Sequence, residues 1–252
     1  MRAGSQALAA GILALAAGCA APPSEAPPPV PEAEAAPGRP GWSMDSANGC
    51  RVWNGNPHHG ETVRWSGACP RGLAEGQGRV EWAWTETGGP RRSVAEGDFV
   101  AGRLHGRGRV VTADGSVREG SFVEGRMSGQ GRAEFATVAA PVPATPSPRT
   151  SVLARGYAVS YVGDWKDGRP HGDGVMVFTN GSRYDGTWRQ GLPEGIGSFW
   201  TADGRRIDGV WRRGCAIDFA APRSLRDQGP EVCRDSLRIE FHPAAASPVS
   251  SR

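Results

Sequence analysis

Apolar and polar positions alternate in short runs through the middle of the chain. In Tyr161-x-Gly163-x-Trp165, and again in Gly174-x-Met176-x-Phe178, every second residue is apolar or glycine. A period of two puts the three side chains of each run on one face of a β-strand. The two runs, separated by a glycine-rich stretch, read as the arms of a hairpin.

The hairpin recurs with a period of 23 residues, visible when the chain is aligned on its glycines. With Gly163 as offset zero, glycines follow at +5, +9, +11 and +18 (Gly168, Gly172, Gly174, Gly181). Gly186, Gly191, Gly195, Gly197 and Gly204 repeat those offsets, as do Gly97, Gly102, Gly106, Gly108 and Gly115. A copy at Gly120, Gly125, Gly129 and Gly131 lacks the last glycine, a divergent copy starts at Gly67, and a half-copy ends with Gly209 and Gly214. Asn180-Gly181, Asp203-Gly204 and Asp114-Gly115 are dipeptides that a type I′ turn demands, so these are expected to join one unit to the next. Glycine inside a strand weakens it and marks a bulge or a close approach. At offset zero it is expected to let an aromatic ring lie flat on the backbone.

Two columns of side chains flank that glycine. At +2 stand Phe99, Phe122, Trp165, Trp188 and Trp211, with Cys69 in the first copy. At −2 stand Trp65, Ala95, Arg118, Tyr161, Tyr184 and Ile207. One hairpin is marginal in water, so the columns must bury one another across neighbouring copies. The +2 column is expected to be a structural ladder. A single-layer sheet would leave part of the −2 column open, so Trp65, Tyr161, Tyr184, Phe178, Phe199 and Trp200 are the candidates for a binding face.

The pattern resembles the MORN repeat, approximately YxGxWxxGxxxGxGxxxxxxGxxY, most closely over residues 161–184. The copies beginning near Glu96 and Glu119 lack the leading tyrosine, and the copy at Trp65 has cysteine for the central aromatic. The resemblance implies an all-β fold: an elongated, twisted single-layer antiparallel sheet with a shallow groove. It also implies work in holding proteins together or near membranes, and it brings no catalytic residues with it. At ~4.8 Å per strand, five and a half copies give a sheet roughly 50 Å long.

The array is expected over residues 63–214, interrupted twice. From Gly67 to Gly97 is 30 residues, which predicts a longer hairpin loop at 83–93. From Gly120 to Gly163 is 43, and the excess falls in the proline-rich segment 136–152, an extended or disordered loop across which the array continues or hinges. Both ends need covering. Residues 42–62 are expected to form an N-terminal cap and 215–242 a C-terminal cap, the latter with a strand at Leu237–Phe241; 243–252 reads as a disordered tail.

Ahead of the array the chain changes character. After Met1-Arg2, residues 7–18 are apolar, shorter than the ~20 residues needed to span a bilayer as a helix. They end in Ala16-Ala17-Gly18-Cys19, which resembles a bacterial lipobox and implies cleavage of signal peptide 1–18 and lipidation of Cys19; an ordinary signal peptide cut nearby is the alternative. Residues 20–41 hold eight prolines, so 19–41 reads as a lipidated cysteine on a disordered tether. In extended form at ~3.1 Å per residue the tether reaches up to roughly 70 Å.

An exported chain with four further cysteines reads as disulfide-bonded. Three connectivities are open; the sequence separations favour Cys50–Cys69 and Cys215–Cys233, and zinc is the poorer alternative for want of a CxxC or spaced histidines. Without Arg2 the chain carries 28 basic and 26 acidic side chains, a balance that does not point to nucleic acid. His58-His59 reads as a polar loop of the cap, and His105 and His171 as variants of one hairpin-turn position at +8. Gly106-Arg-Gly precedes no helix pattern, so it is no phosphate loop. These readings predict no enzyme, no metal, no cofactor and no small-molecule substrate. They predict a tethered scaffold or adaptor in a Gram-negative envelope, an outer-membrane lipoprotein facing the periplasm or the surface, with an unidentified protein partner. A module docking on envelope glycan or a membrane surface, or an accessory subunit of an envelope enzyme, are the alternatives.

Overall fold

A computed structural model describes residues 38–136 and 157–219. The expected signal peptide, Cys19 and most of the expected tether lie outside the described residues. So do nearly all of the 136–152 insertion, Cys233, the strand expected at Leu237–Phe241 and the tail.

The described part is all β apart from a 3-10 turn at Pro70–Gly72. A small N-terminal hairpin pairs β1 (Gly41–Met44) with β2 (Arg51–Asn54). Twelve strands then form one open antiparallel sheet: β3 (Thr62–Trp65), β4 (Gly76–Glu86), β5 (Gly89–Val100), β6 (Arg103–Val111), β7 (Val117–Val123), β8 (Arg126–Glu134), β9 (Ala158–Lys166), β10 (Arg169–Phe178), β11 (Arg183–Arg189), β12 (Leu192–Trp200), β13 (Arg206–Arg212) and β14 (Cys215–Phe219). Each strand pairs with its neighbours in sequence. The β8–β9 pairing carries the array straight across the proline-rich insertion, with Gly131 opposite Gly163. It continues rather than hinging.

The glycines explain the path of the chain. Offsets zero and +11 pair with one another from strand to strand, so one glycine row, from Gly78 through Gly97, Gly108, Gly120, Gly131, Gly163, Gly174, Gly186 and Gly197 to Gly209, crosses the sheet. At offset zero the missing Cβ lets two backbones meet: on Gly163 it would lie 2.4 Å from the Asp173 carbonyl oxygen and 2.5 Å from the Gly174 Cα. The flat ring lies instead on +11. A Cβ on Gly174 would lie 2.2 Å from the Tyr161 hydroxyl, and one on Gly78 would lie 2.1 Å from the Trp65 ring. The close approach expected at offset zero is therefore divided between two glycines.

Between +7 and +11 each second strand carries two more residues than its partner spans. Phe99 pairs with Leu104 and Gly97 with Gly108; Trp165 pairs with Pro170 and Gly163 with Gly174. Such a bulge bends the strand and increases its twist. It contains the +9 glycine, at φ +79° for Gly106 and +60° for Gly172. His105 and His171 thus belong to the bulge and not to the hairpin turn. The tight two-residue turns fall at +4 and +5, where Asp167 and Gly168 (φ 51° and 77°) have the double positive φ of type I′, as do Glu124 and Gly125 (49° and 79°). The Asp114-Gly115, Asn180-Gly181 and Asp203-Gly204 connections differ from expectation. Only the glycine has positive φ, and Gly115 N–H bonds back to the Thr112 carbonyl at 2.8 Å, a three-residue loop closed by a left-handed glycine.

Residues 83–93 are not a loop. β4 and β5 stay paired as far as Glu86 opposite Gly89, so the extra residues lengthen a two-stranded ribbon. Its inner face carries Trp84, stacked on His58 at 3.8 Å. At the N-terminal end, Cys50 and Cys69 form a disulfide with Cα atoms 5.9 Å apart. Buried Asp45 accepts a hydrogen bond from the Trp65 N–H at 2.9 Å, closing off a donor on the edge strand β3. Burial pushes the Asp45 carboxyl up, but bonds from the Trp65 and Ala47 N–H groups and the nearby Arg64 outweigh it and hold it below the usual carboxylate range. The first part of the expected C-terminal cap, Cys215–Phe219, is the last strand of the sheet and completes the half-copy as a hairpin.

Candidate functional site

The sheet has an inner face, carrying offsets −2, zero and +2, and an outer face carrying −3, −1, +1 and +3. On the inner face the tyrosine and tryptophan rings tile the glycine row. Trp165, Trp188 and Trp211 reach back to the preceding unit, each indole N–H donating to the carbonyl of its +11 glycine: Gly131 at 3.1 Å, Gly174 at 2.9 Å and Gly197 at 3.0 Å. Tyr161 and Tyr184 stand edge-on between tryptophans, at 4.9 and 5.5 Å for Tyr161 and 5.0 and 5.1 Å for Tyr184. Edge-to-face pairs of this kind add about 0.5–1.5 kcal/mol each beyond burial. The +2 residues Phe99, Phe122, Trp165, Trp188 and Trp211 are all buried, as the ladder reading requires.

The candidate binding face needs correcting. Trp65, Tyr161, Tyr184, Phe178 and Phe199 are as deeply buried as the ladder, with Tyr161 and Tyr184 at 0 % exposure. The bulges bend the strands around the rings, so the −2 column is core and no open aromatic groove runs between the columns. Burial, with Asp164 and Asp173 nearby, pushes the Tyr161 phenol well above its ordinary 10.0, and burial with Asp185 does the same for Tyr184. Trp200 alone of the six points outward, between the guanidinium groups of Arg183 at 4.1 Å and Arg206 at 5.2 Å.

The units are built alike from end to end. Each +5 N–H hangs on the +7 carbonyl of the unit before it: Gly125 on Leu104, Gly168 on Met127, Gly191 on Pro170 and Gly214 on Pro193, all at 2.8–2.9 Å. A family model described as MORN repeat matches residues 96–117, 119–137, 161–183 and 184–205. The chain carries four MORN repeats. The copies at Trp65 and Trp211, outside those matches, continue the same sheet and the same ring-on-glycine packing. No curated protein matches the chain.

With the inner face of the MORN array filled by its own rings, the outer face is what it presents. Its −1 row runs Arg79, Glu96, Arg109, Glu119, Arg132 on adjacent strands, then Val162 and Val175, then Asp185, Ser198 and Asp208. The alternating charges neutralise one another, Arg79 meeting Glu96 at 2.8 Å and Arg132 meeting Glu119 at 3.0 Å. Exposed pairs of this kind contribute about 0.2–1 kcal/mol each. Beyond Arg132 the face changes. Val162 is 58 % exposed, and the cross-strand neighbours Ile196 and Val210 are 78 % and 38 % exposed. These exposed apolar residues are not among the candidates expected from the sequence. Their signal is a branched apolar residue next to the glycine of the row, at −1 or +1 on the first strand (Val162, Val210) and at +10 on the second (Ile196), positions that a strand turns away from its core.

Histidines do not gather. His58 stacks on Trp84, His171 sits in a bulge, and no group of three or more His, Cys, Asp or Glu side chains converges as a metal site among the described residues.

Proposed function

We propose that the chain is a non-enzymatic MORN-repeat scaffold of a bacterial cell envelope, tethered through a lipidated Cys19 and its proline-rich arm. It holds a partner protein against the outer face of the sheet. The observation that carries this reading is the outward placement of Val162, Ile196 and Val210 on a sheet whose inner face is filled by its own side chains. Ile196 and Val210 are cross-strand neighbours, with Val162 three strands from Ile196 on the same face, and exposed apolar side chains on a regular surface are what a protein partner buries. The Ala16-Ala17-Gly18-Cys19 sequence supports the anchor, and the length of the tether supports a body held clear of the bilayer.

The test uses the tagged full chain and detergent-solubilised envelopes, with sedimentation against liposomes and against peptidoglycan in parallel. A protein retained by the wild type and lost with Ile196→Glu and Val162→Glu supports the scaffold. Sedimentation with liposomes or purified glycan, with no protein retained, refutes it in favour of an envelope-surface module. Radiolabelled palmitate incorporated by the wild type and not by Cys19→Ala tests the anchor separately.

A further inference from the structure

We propose that the tips of the last hairpins form a docking cleft for an acidic polypeptide segment of the partner. The inference rests on the scaffold reading and names the site and the chemistry it takes. The cleft, of about 860 Å³, is lined by Arg169, Arg189, Arg212 and Arg213 together with Leu192 and Gln190. Adjacent strands bring these residues side by side: Arg169 opens β10, Arg189 closes β11, Leu192 opens β12 and Arg212 closes β13.

Three observations set these arginines apart from ordinary surface charge. First, at three of the four positions the fold does not require arginine, whereas the +6 offset of Arg169 is also arginine in the two preceding copies, Arg103 and Arg126. The +3 offset held by Arg189 and Arg212 holds Val100 and Val123 in earlier copies, and the +4 offset of Arg213 holds Ala101 and Glu124. Second, the ion pairs among the described residues engage other arginines, such as Arg79, Arg132, Arg205 and Arg206, and none of these four. Third, the one carboxylate in the lining, Glu194, is already committed, accepting the Arg213 backbone N–H at 2.8 Å. The guanidinium groups therefore face solvent as forks suited to bidentate pairing with carboxylates.

The neighbouring residues favour a polypeptide over a bare anion. Val210 and Arg212 are alternate residues on one face of β13, and Val210 pairs with the exposed Ile196. Cationic and apolar side chains thus share one continuous surface, and Leu192 lies within the cleft itself. A segment mixing Asp or Glu with leucine-like residues satisfies both.

The probe is a fluorescein-labelled peptide alternating Glu and Leu, with a Gln-and-Leu peptide as its neutral counterpart, titrated with the full chain by anisotropy. The acidic peptide is expected to bind, more weakly as salt rises, and the neutral one to fail. Arg189→Gln and Arg212→Gln should each weaken binding about tenfold, the worth of one charge-assisted hydrogen bond, while Arg79→Gln on the outer ladder leaves it unchanged. Equal urea midpoints show that the exposed substitutions leave the fold intact. No binding of the acidic peptide, or binding indifferent to Arg189→Gln and Arg212→Gln, overturns the cleft. So does arginine-dependent binding of phosphatidylglycerol vesicles in place of the peptide. If the Arg189→Gln/Arg212→Gln chain retains the envelope partner as the wild type does, the cleft fails and the scaffold stands; if the wild type retains none, the scaffold reading fails.

Discussion

Gly174→Ala is the sharpest perturbation of this fold. The backbone φ of Gly174 is not in the left-handed region, so alanine meets no conformational barrier there, and what matters is space. The added Cβ would stand 2.2 Å from the Tyr161 Oη, 2.5 Å from Cζ and 2.7 Å from Cε2. The ring cannot yield, because it is wholly buried between Trp165 at 4.9 Å and Trp188 at 5.5 Å. Forcing a methyl group into a packed core costs about 1–3 kcal/mol, and a rigid aromatic neighbour puts this case at the upper end. Displacing the ring also breaks the bond from the Tyr161 hydroxyl to the Asp164 carbonyl, 2.9 Å long, which is worth about 1 kcal/mol. The expected loss is therefore about 3–4 kcal/mol. With a urea slope of about 2 kcal/mol/M it lowers the midpoint by roughly 1.5–2 M. Gly131→Ala is the graded comparison. Its Cβ comes just as close, 2.3 Å, but to the terminal methyl of Met127, an adaptable side chain that can rotate away, and the expected loss is about 1–2 kcal/mol. Gly55→Ala, with open space and no positive φ, should be neutral. Equilibrium urea unfolding of the three variants ranks them. If Gly174→Ala unfolds within about 1 kcal/mol of Gly55→Ala, the rings are not clamped on the glycine row and the packing argument fails.

Trp188→Ala should cost about 3–5 kcal/mol and unfold the array as a whole, since it removes a buried ring and its bond to the Gly174 carbonyl; an intact array that merely loses its partner would restore the groove reading. Removing the Cys50–Cys69 disulfide, which closes a separation of 19 residues, with Cys50→Ser and Cys69→Ser together should destabilise the chain by about 3 kcal/mol, read as the urea midpoint against the wild type; an unmoved midpoint rejects the cap as a structural element. Tyr161 and Tyr184 have folded phenol values raised above 10.0, so the stability linked to them is complete below pH 10 and is lost as pH rises through the folded values. Tyrosinate absorbance from both should appear together with the loss of strand circular dichroism, and ionisation well ahead of unfolding would count against their burial. Glu124, a non-glycine residue at φ 49° in a type I′ turn, is strained, and Glu124→Asn should raise stability by about 0.5–1 kcal/mol in the same urea assay.

The repeat and its strands were legible because glycine offsets report backbone geometry directly, and backbone geometry is the same in every copy. What stayed hidden was curvature. A two-residue excess at each bulge adds nothing to the 23-residue period, so the sequence shows the +9 glycine without showing that the strand bends there. Once it bends, Tyr161 and Tyr184 pass from the lip of a groove to the middle of a core. The turns were misplaced for a related reason. Asn180-Gly181 has the favoured chemistry of a type I′ turn, whereas Gln190-Gly191 and Arg213-Gly214 do not, yet the +5 glycine recurs in every copy and the +18 glycine does not. Recurrence was the better guide. The same reasoning separates fold from function within this one chain. Inner offsets repeat because the rings and glycines hold one another, while the +3 offset runs Val100, Val123, Lys166, Arg189, Arg212 on an unchanging backbone. A position free to vary in an otherwise fixed unit is one that packing does not determine. Its drift from valine to arginine along the array is the sequence counterpart of the docking cleft proposed at the C-terminal hairpin tips.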